Sequence, residues 1–167
     1  MLLNKEQVIN FLPHRPPFLF VDSVKELILP DGLKEKENVT NKDLVGSKVI
    51  ANFKVTEELE ILAGHFPGNP ILPGVVHVEM MAQASAFVSL GLKKSEDEDM
   101  QVETLLLGVE ATKFRKPALP GMNLEIHATL ENCRGSMAQY SCYIMCDGQK
   151  LSEAKFLAKL DVVEKDK

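Results

Sequence analysis

Apolar residues in the first third of the chain come in short runs broken by proline, glycine and charge. Asn4, followed by an apolar side made of Leu3, Val8, Ile9 and Leu12, predicts a short capped helix that stops at Pro13. Pro16-Pro17 forces an extended path. Residues 18–29, FLFVDSVKELIL, predict one long strand that ends at the turn Pro30-Asp31-Gly32. Residues 33–46 are polar and charged and predict a loop or solvated excursion. VIANFKV, residues 49–55, alternates apolar and polar positions and predicts a second strand. From Gly74 to Leu92 the rhythm changes. Val75, Val76, Val78, Met80, Met81, Ala82, Ala84, Ala86, Phe87, Val88 and Leu90 leave almost no polar side, and a helix that is apolar all round is a buried one. KKSEDEDMQ predicts a charged, exposed connection. A period of two then returns in residues 104–116, 123–133, 137–147 and 150–163, with turns at Gly135 and at Asp147-Gly148. The tail EKDK is expected to fray. This pattern predicts an α+β fold, with one long buried helix and an antiparallel sheet of roughly five to seven strands wrapped about it. No repeat or composition break divides residues 1–167, so a single domain is expected.

Composition narrows the function. The 167 residues suit one domain, and 45% hydrophobic residues supply a core. A net charge of −5 argues against a general nucleic-acid surface, and any anionic partner needs a local basic patch. Tryptophan is absent and tyrosines number two, which gives no platform for stacking single strands. Cys133, Cys142 and Cys146 are odd in number and match no zinc spacing; reduced core thiols in a cytoplasmic protein are expected. MLLNKEQVINF lacks the apolar stretch of a signal peptide, and no run of about 18 uninterrupted apolar residues predicts a membrane span.

The chemistry concentrates in GHFPGNPILPGVVHVEMMAQAS, residues 64–85. Glu79 lies inside the apolar helix, where an ionised carboxylate without a partner costs several kcal/mol. A raised pKa and an acid role near neutral pH are therefore expected. Gln83, four residues on, is placed to orient it. His65 is flanked by Gly64, Pro67, Gly68 and Pro70, which set a rigid backbone path suited to a general base. Pro73-Gly74 opens the helix, and the Gly74 N–H at the positive end of its dipole suits a developing oxyanion. A metal is not expected. His77 and Glu79 are two apart on a helix, about 200° around its axis, and cannot face one ion. His77 stands where the buried helix calls for an aliphatic residue, and His14 and His127 have no partner readable in the sequence.

Gly64 to Gln83, as G-H-F-P-G-x-P-x-x-P-G-V-x-x-x-E-x-M-A-Q, resembles the signature of the FabZ family of (3R)-hydroxyacyl-[acyl-carrier-protein] dehydratases. LPHRPPFLFVDSV, residues 12–24, KFRKPALPG, residues 113–121, and RGSMAQYSCYIMCDGQKLSEAKF are similar to further elements of that family. The likeness spans most of the chain. It implies the hotdog fold, a curled antiparallel sheet around one long helix. It implies His65 and Glu79 as catalytic pair, and a dimer, often assembled as a trimer of dimers, in which His65 of one subunit faces Glu79 of the other. Glu79 also stands where the related dehydratase/isomerases carry aspartate, which argues against isomerisation. Three features depart from the family pattern: a longer stretch at residues 31–47, EILA before Gly64 where aromatics are common, and Met122 in place of an acidic residue. They bear on substrate size and tunnel shape.

The expected reaction is dehydration of a 3-hydroxyacyl thioester on acyl carrier protein to the trans-2-enoyl thioester in fatty acid synthesis. His65 takes the C2 proton, Glu79 protonates the leaving hydroxyl and Gly74 holds the carbonyl; the residues alone leave acid and base open to exchange. No cofactor is required, and no Gly-rich nucleotide loop is present. A hotdog thioesterase, or a non-catalytic scaffold that binds acyl carrier protein, would use the same frame. Lys113, Arg115 and Lys116 form the densest basic cluster and are the candidate docking patch for the acidic carrier, with Arg15 and Arg134 next. Alternation sets Lys113 and Arg115 on one face and Lys116 on the other.

Overall fold

The computed structural model describes residues 1–92 and 100–164. Six strands form one antiparallel sheet in the order β1-β2-β4-β5-β6-β3. They are β1 (Ser23–Ile28), β2 (Lys48–Lys54), β3 (Met100–Phe114), β4 (Asn123–Arg134), β5 (Met137–Cys146) and β6 (Gln149–Glu164). The helix α1 (Lys5–Phe11) is capped as its sequence predicts: Asn4 accepts from the Gln7 N–H, and the Gln7 side chain accepts from the Asn4 N–H. The helix α2 (Gly74–Ala86) is wrapped by the sheet. Inward positions of β4 and β5 follow a period of two, with Leu124, Ile126, Ala128 and Leu130 facing the helix beside Ala138, Tyr140, Cys142 and Ile144. All three cysteines are buried free thiols.

Several expectations are corrected. The first strand is shorter than residues 18–29. Residues 18–20 give their backbone groups to the Gln83 side chain: the Phe20 N–H donates to its Oε1, and its Nε2 donates to the Phe18 carbonyl. Those groups are no longer available to a ladder, so pairing starts at Ser23. The stretch 33–46 is not a solvated loop. It forms two 3₁₀ turns, Leu33–Glu35 and Asn41–Leu44, and buries Leu33 and Leu44. Leu44 and Leu29 press on Gly91, where an added Cβ would fall 2.6 and 2.8 Å from their methyl groups.

The buried helix ends its α form at Ala86 and tightens to 3₁₀ over Phe87–Leu92. The hydroxyls of Ser85, just before this stretch, and Ser89, within it, donate to the carbonyls of Ala82 and Ala86, three residues back. The run Gly74–Leu92 has the length and hydropathy of a membrane span, but it is mostly covered by the sheet and serves as the core helix. Its first turn is the exception, because Val75 is 75% exposed. β3 begins at Met100, four residues before the predicted start. The charged connection at 93–99 and the tail from 165 onward lie outside the described residues.

Candidate active site

The backbone around His65 is folded back on itself by its own sequence. A 3₁₀ turn, Glu60–Ala63, leads into Gly64, and the His65–Phe66 peptide is cis. Phe66 and Asn69 exchange reciprocal backbone hydrogen bonds of 3.1 and 2.9 Å around Gly68, whose φ of 76° requires the left-handed region. The Ile71 N–H donates to the His65 carbonyl, and the Leu72 N–H donates to the Ala118 carbonyl. The FPGNP segment is thereby tied to the second proline-rich loop. The imidazole of His65 stacks on Phe66, and its Nδ1 lies 2.8 Å from the Ile71 carbonyl oxygen. A carbonyl only accepts, so Nδ1 carries the hydrogen and Nε2 of the neutral ring keeps a free lone pair.

Gly74 is the first residue of α2, and none of the described residues accepts its N–H. Its missing Cβ also makes room for a neighbouring ring. A Cβ there would meet the Phe114 ring at 3.0 Å, so glycine admits that ring against the helix start. His65, Gly74, His77, Phe114, Arg115 and Lys116 line one cavity.

Glu79 opens into a different cavity, lined by Leu12, Pro13, His14, Gln83, Thr104 and Leu106 among others, and no residue lines both. Gln83 orients Glu79 as expected: its Nε2 donates to Glu79 Oε1 at 2.8 Å. With its other bonds to Phe18 and Phe20, every group of the Gln83 amide is used, so the side chain is locked. The sequence reading missed His14, whose Nε2 lies 3.3 Å from Glu79 Oε1. Its only signal was its place between two prolines in LPHRPP. Both partners converge on Oε1, which leaves Oε2 as the oxygen able to carry a proton.

The expected raised pKa of Glu79 is corrected. Burial does push its carboxyl up, but hydrogen bonds from His14 and Gln83, with the charge of His14, outweigh burial and hold it below its ordinary value. The apolar helix around Glu79 was visible in the sequence, whereas a histidine 65 positions earlier was not. His77 also finds a partner, because its Nδ1 lies 2.9 Å from Ser152 Oγ on β6. His127 pairs with Glu125 at 2.7 Å and stacks on Tyr143, on the outer face of the sheet.

In the basic cluster, Lys113, Arg115 and Lys116 are exposed. Arg115 pairs with Glu153 at 2.6 Å, and Lys116 donates to Gln149. The N–H groups of Arg115 and Lys116 both reach the Leu151 carbonyl. Two successive donors on one acceptor break the strand alternation, so Arg115 and Lys116 border the same cavity instead of lying on opposite faces.

One long helix wrapped by a curled antiparallel sheet defines the hotdog class of α+β proteins. A solved dehydratase heterocomplex, ApeI:P from Xenorhabdus doucetiae, shares this fold with a TM-score of 0.67 and 22% identity, over 92% of this chain and 90% of that one. The fluoroacetyl-CoA thioesterase FlK shares it more distantly, with a TM-score of 0.56 and 12% identity over 70% of this chain and 87% of its own. The family model for the FabA-like domain matches residues 12–155. The 3-hydroxyacyl-[acyl-carrier-protein] dehydratase FabZ of Myxococcus xanthus (strain DK1622) is 37% identical, over 96% of this chain and 92% of that protein. The protein of the same name from Rickettsia bellii (strain RML369-C) is 35% identical over 96% and 97%. The chain belongs to the FabA-like family, within its FabZ group.

Proposed function

We propose that this protein dehydrates 3-hydroxyacyl-[acyl-carrier-protein] to the trans-2-enoyl form in fatty acid biosynthesis, at a site shared between two copies of the chain. Membership of the FabZ group supports the reaction. The observation that carries the shared site is the separation of His65 and Glu79 into two cavities at different points along one edge strand. Among the described residues β3 has no neighbour on its outer side. Leu105, Leu106, Leu107 and Val109 along it are 41% to 60% exposed. A long apolar edge of this kind calls for a partner. Thr104 and Leu106 wall the Glu79 cavity, and Phe114 walls the His65 cavity. Antiparallel two-fold pairing of β3 with its copy about Val109 sets residue 104 against residue 114. That pairing brings the His65 cavity of one subunit to the Glu79 cavity of the other.

In such a site Nε2 of His65 removes the proton at C2 of the acyl chain. The C2–C3 double bond forms as the C3–O bond breaks, and the hydroxyl leaves as water with a proton from Glu79 Oε2. The Gly74 N–H stabilises charge on the thioester oxygen. Glu79 is held low in the single chain. Cover by the partner subunit and the acyl chain adds burial, and burial is the influence that raises it. Afterwards the proton on His65 returns to Glu79 and resets the pair.

The test is to incubate the protein with a 3-hydroxyacyl carrier-protein substrate and follow enoyl absorbance. Appearance of the enoyl thioester is expected. Release of free acid in its place would identify a thioesterase and overturn the reading.

A further inference from the structure

His77 of the core helix has no part in the reaction scheme. His77 is 2% exposed and stands one turn after Gly74, on the same side of α2. A helical side chain leans back over the turn before it, so the imidazole lies toward the helix start. It lines the cavity that holds His65 and Gly74. Its Nδ1 meets the Ser152 hydroxyl at 2.9 Å, while its Nε2 is buried and has no hydrogen-bond partner among the described residues. A buried polar atom left alone destabilises a fold, and an aliphatic side chain would fill the place without that cost.

The direction of the Ser152 bond follows from what each choice strands. If Nδ1–H donated to Ser152, both the hydroxyl hydrogen and the Nε2 lone pair would be left unpaired. If the Ser152 hydroxyl donates to Nδ1, only the Nε2–H is left. The second arrangement strands fewer groups, and it makes Nε2 a donor. Burial pushes His77 down to about 4, so the donor is neutral in the physiological range.

We propose that His77, oriented by Ser152, donates its Nε2–H to the thioester carbonyl of the bound acyl group, as a second donor beside the Gly74 N–H. This rests on the dehydratase reading. A carbonyl oxygen has two lone pairs, and both can be met from one helix turn. The oxygen gains negative charge as the C2 proton leaves, so donors already aimed at it in a buried site favour the transition state over the ground state. Ser152 acts through His77 and is a positioning residue.

The experiment compares His77→Leu, His77→Gln and Ser152→Ala with the unaltered protein, using steady-state kinetics and the infrared carbonyl band of a bound enoyl thioester. His77→Leu is expected to lower kcat on the order of 10- to 10²-fold with little change in KM, at an unchanged or higher Tm. The carbonyl band should lose part of its shift to lower frequency. His77→Gln keeps an N–H and recovers part of both effects; Ser152→Ala shows a smaller loss of both. A wild-type kcat and band in His77→Leu overturns the proposal, as does a fall in kcat that leaves the band in place. Should His77→Leu fail to fold, the other two variants carry the same readouts. If the unaltered protein does not turn over the substrate, the dehydratase reading fails separately, and the carbonyl band alone decides whether His77 is a donor.

Discussion

At the scale of single residues, His65 and Glu79 differ in how they are prepared. His65 is set by backbone: a carbonyl fixes its tautomer, and a tight turn fixes its place. Glu79 is set by side chains, Gln83 and His14, which reach the same oxygen from different parts of the chain. His65→Ala and Glu79→Gln should each lower turnover by about 10² or more, as loss of a general acid or base does. The proposed single step predicts that the double variant falls little further; near-normal turnover in either folded single variant would sink the mechanism. His77 gives a prediction on stability. Unfolded, it takes up a proton below about 6.5, whereas folded it stays neutral down to about 4. Between those values the unfolded state binds more protons, so stability is lost as pH falls through the window. At pH 4.5 the loss relative to pH 7.5 is about 2 to 3 kcal/mol from this residue. Urea unfolding at the two pH values should show His77→Leu losing that part of the dependence.

At the scale of elements, the chain keeps its periodicity where packing is local. The hairpin from β5 to β6 turns at Asp147 and Gly148, both with positive φ of 48° and 74°, which is the turn that Asp-Gly signals. The elements that depart from their sequence signals do so because distant groups claim them. Residues 18–20 are taken by Gln83, and the polar stretch 33–46 carries two leucines into the core. Leu44→Ala should therefore cost about 2 to 4 kcal/mol, as truncation of a buried leucine does. Substitution in a solvated loop stays within about 0.5 kcal/mol. The midpoint of urea unfolding, at unchanged m value, separates the two outcomes.

At the scale of the whole molecule there are two predictions, and the first follows from the shared site. Under subunit exchange, inactive His65→Ala mixed with inactive Glu79→Gln should regain activity, because a mixed dimer holds one intact pair. No recovery with exchange shown by mass would place the site within one chain. The second concerns the carrier protein. This chain is net negative, so an acidic partner must be drawn by a local patch. Arg115 and Lys116 border the His65 cavity, where a carrier arm would enter. Lys116→Glu should raise KM for the carrier-bound substrate, more so at low salt, and leave coenzyme A or N-acetylcysteamine thioesters nearly unaffected. Equal losses on both would move the docking site elsewhere.

The sequence by itself determined the core helix, the antiparallel hairpins, and the two residues most exposed to chemical reading, His65 and Glu79. It could do so because periodicity, turn chemistry and an acid within an apolar run are local signals. Tertiary structure decided the rest. It brought His14 to Glu79 and reversed the expected direction of that carboxyl's pKa; it paired His77 with Ser152, 75 positions away. It also placed His65 and Glu79 in separate cavities, one bordered by Thr104 and Leu106 and the other by Phe114. These outcomes depend on which strand lies beside which, and hydrogen bonds and burial between distant segments leave no mark in the spacing of residues along the chain.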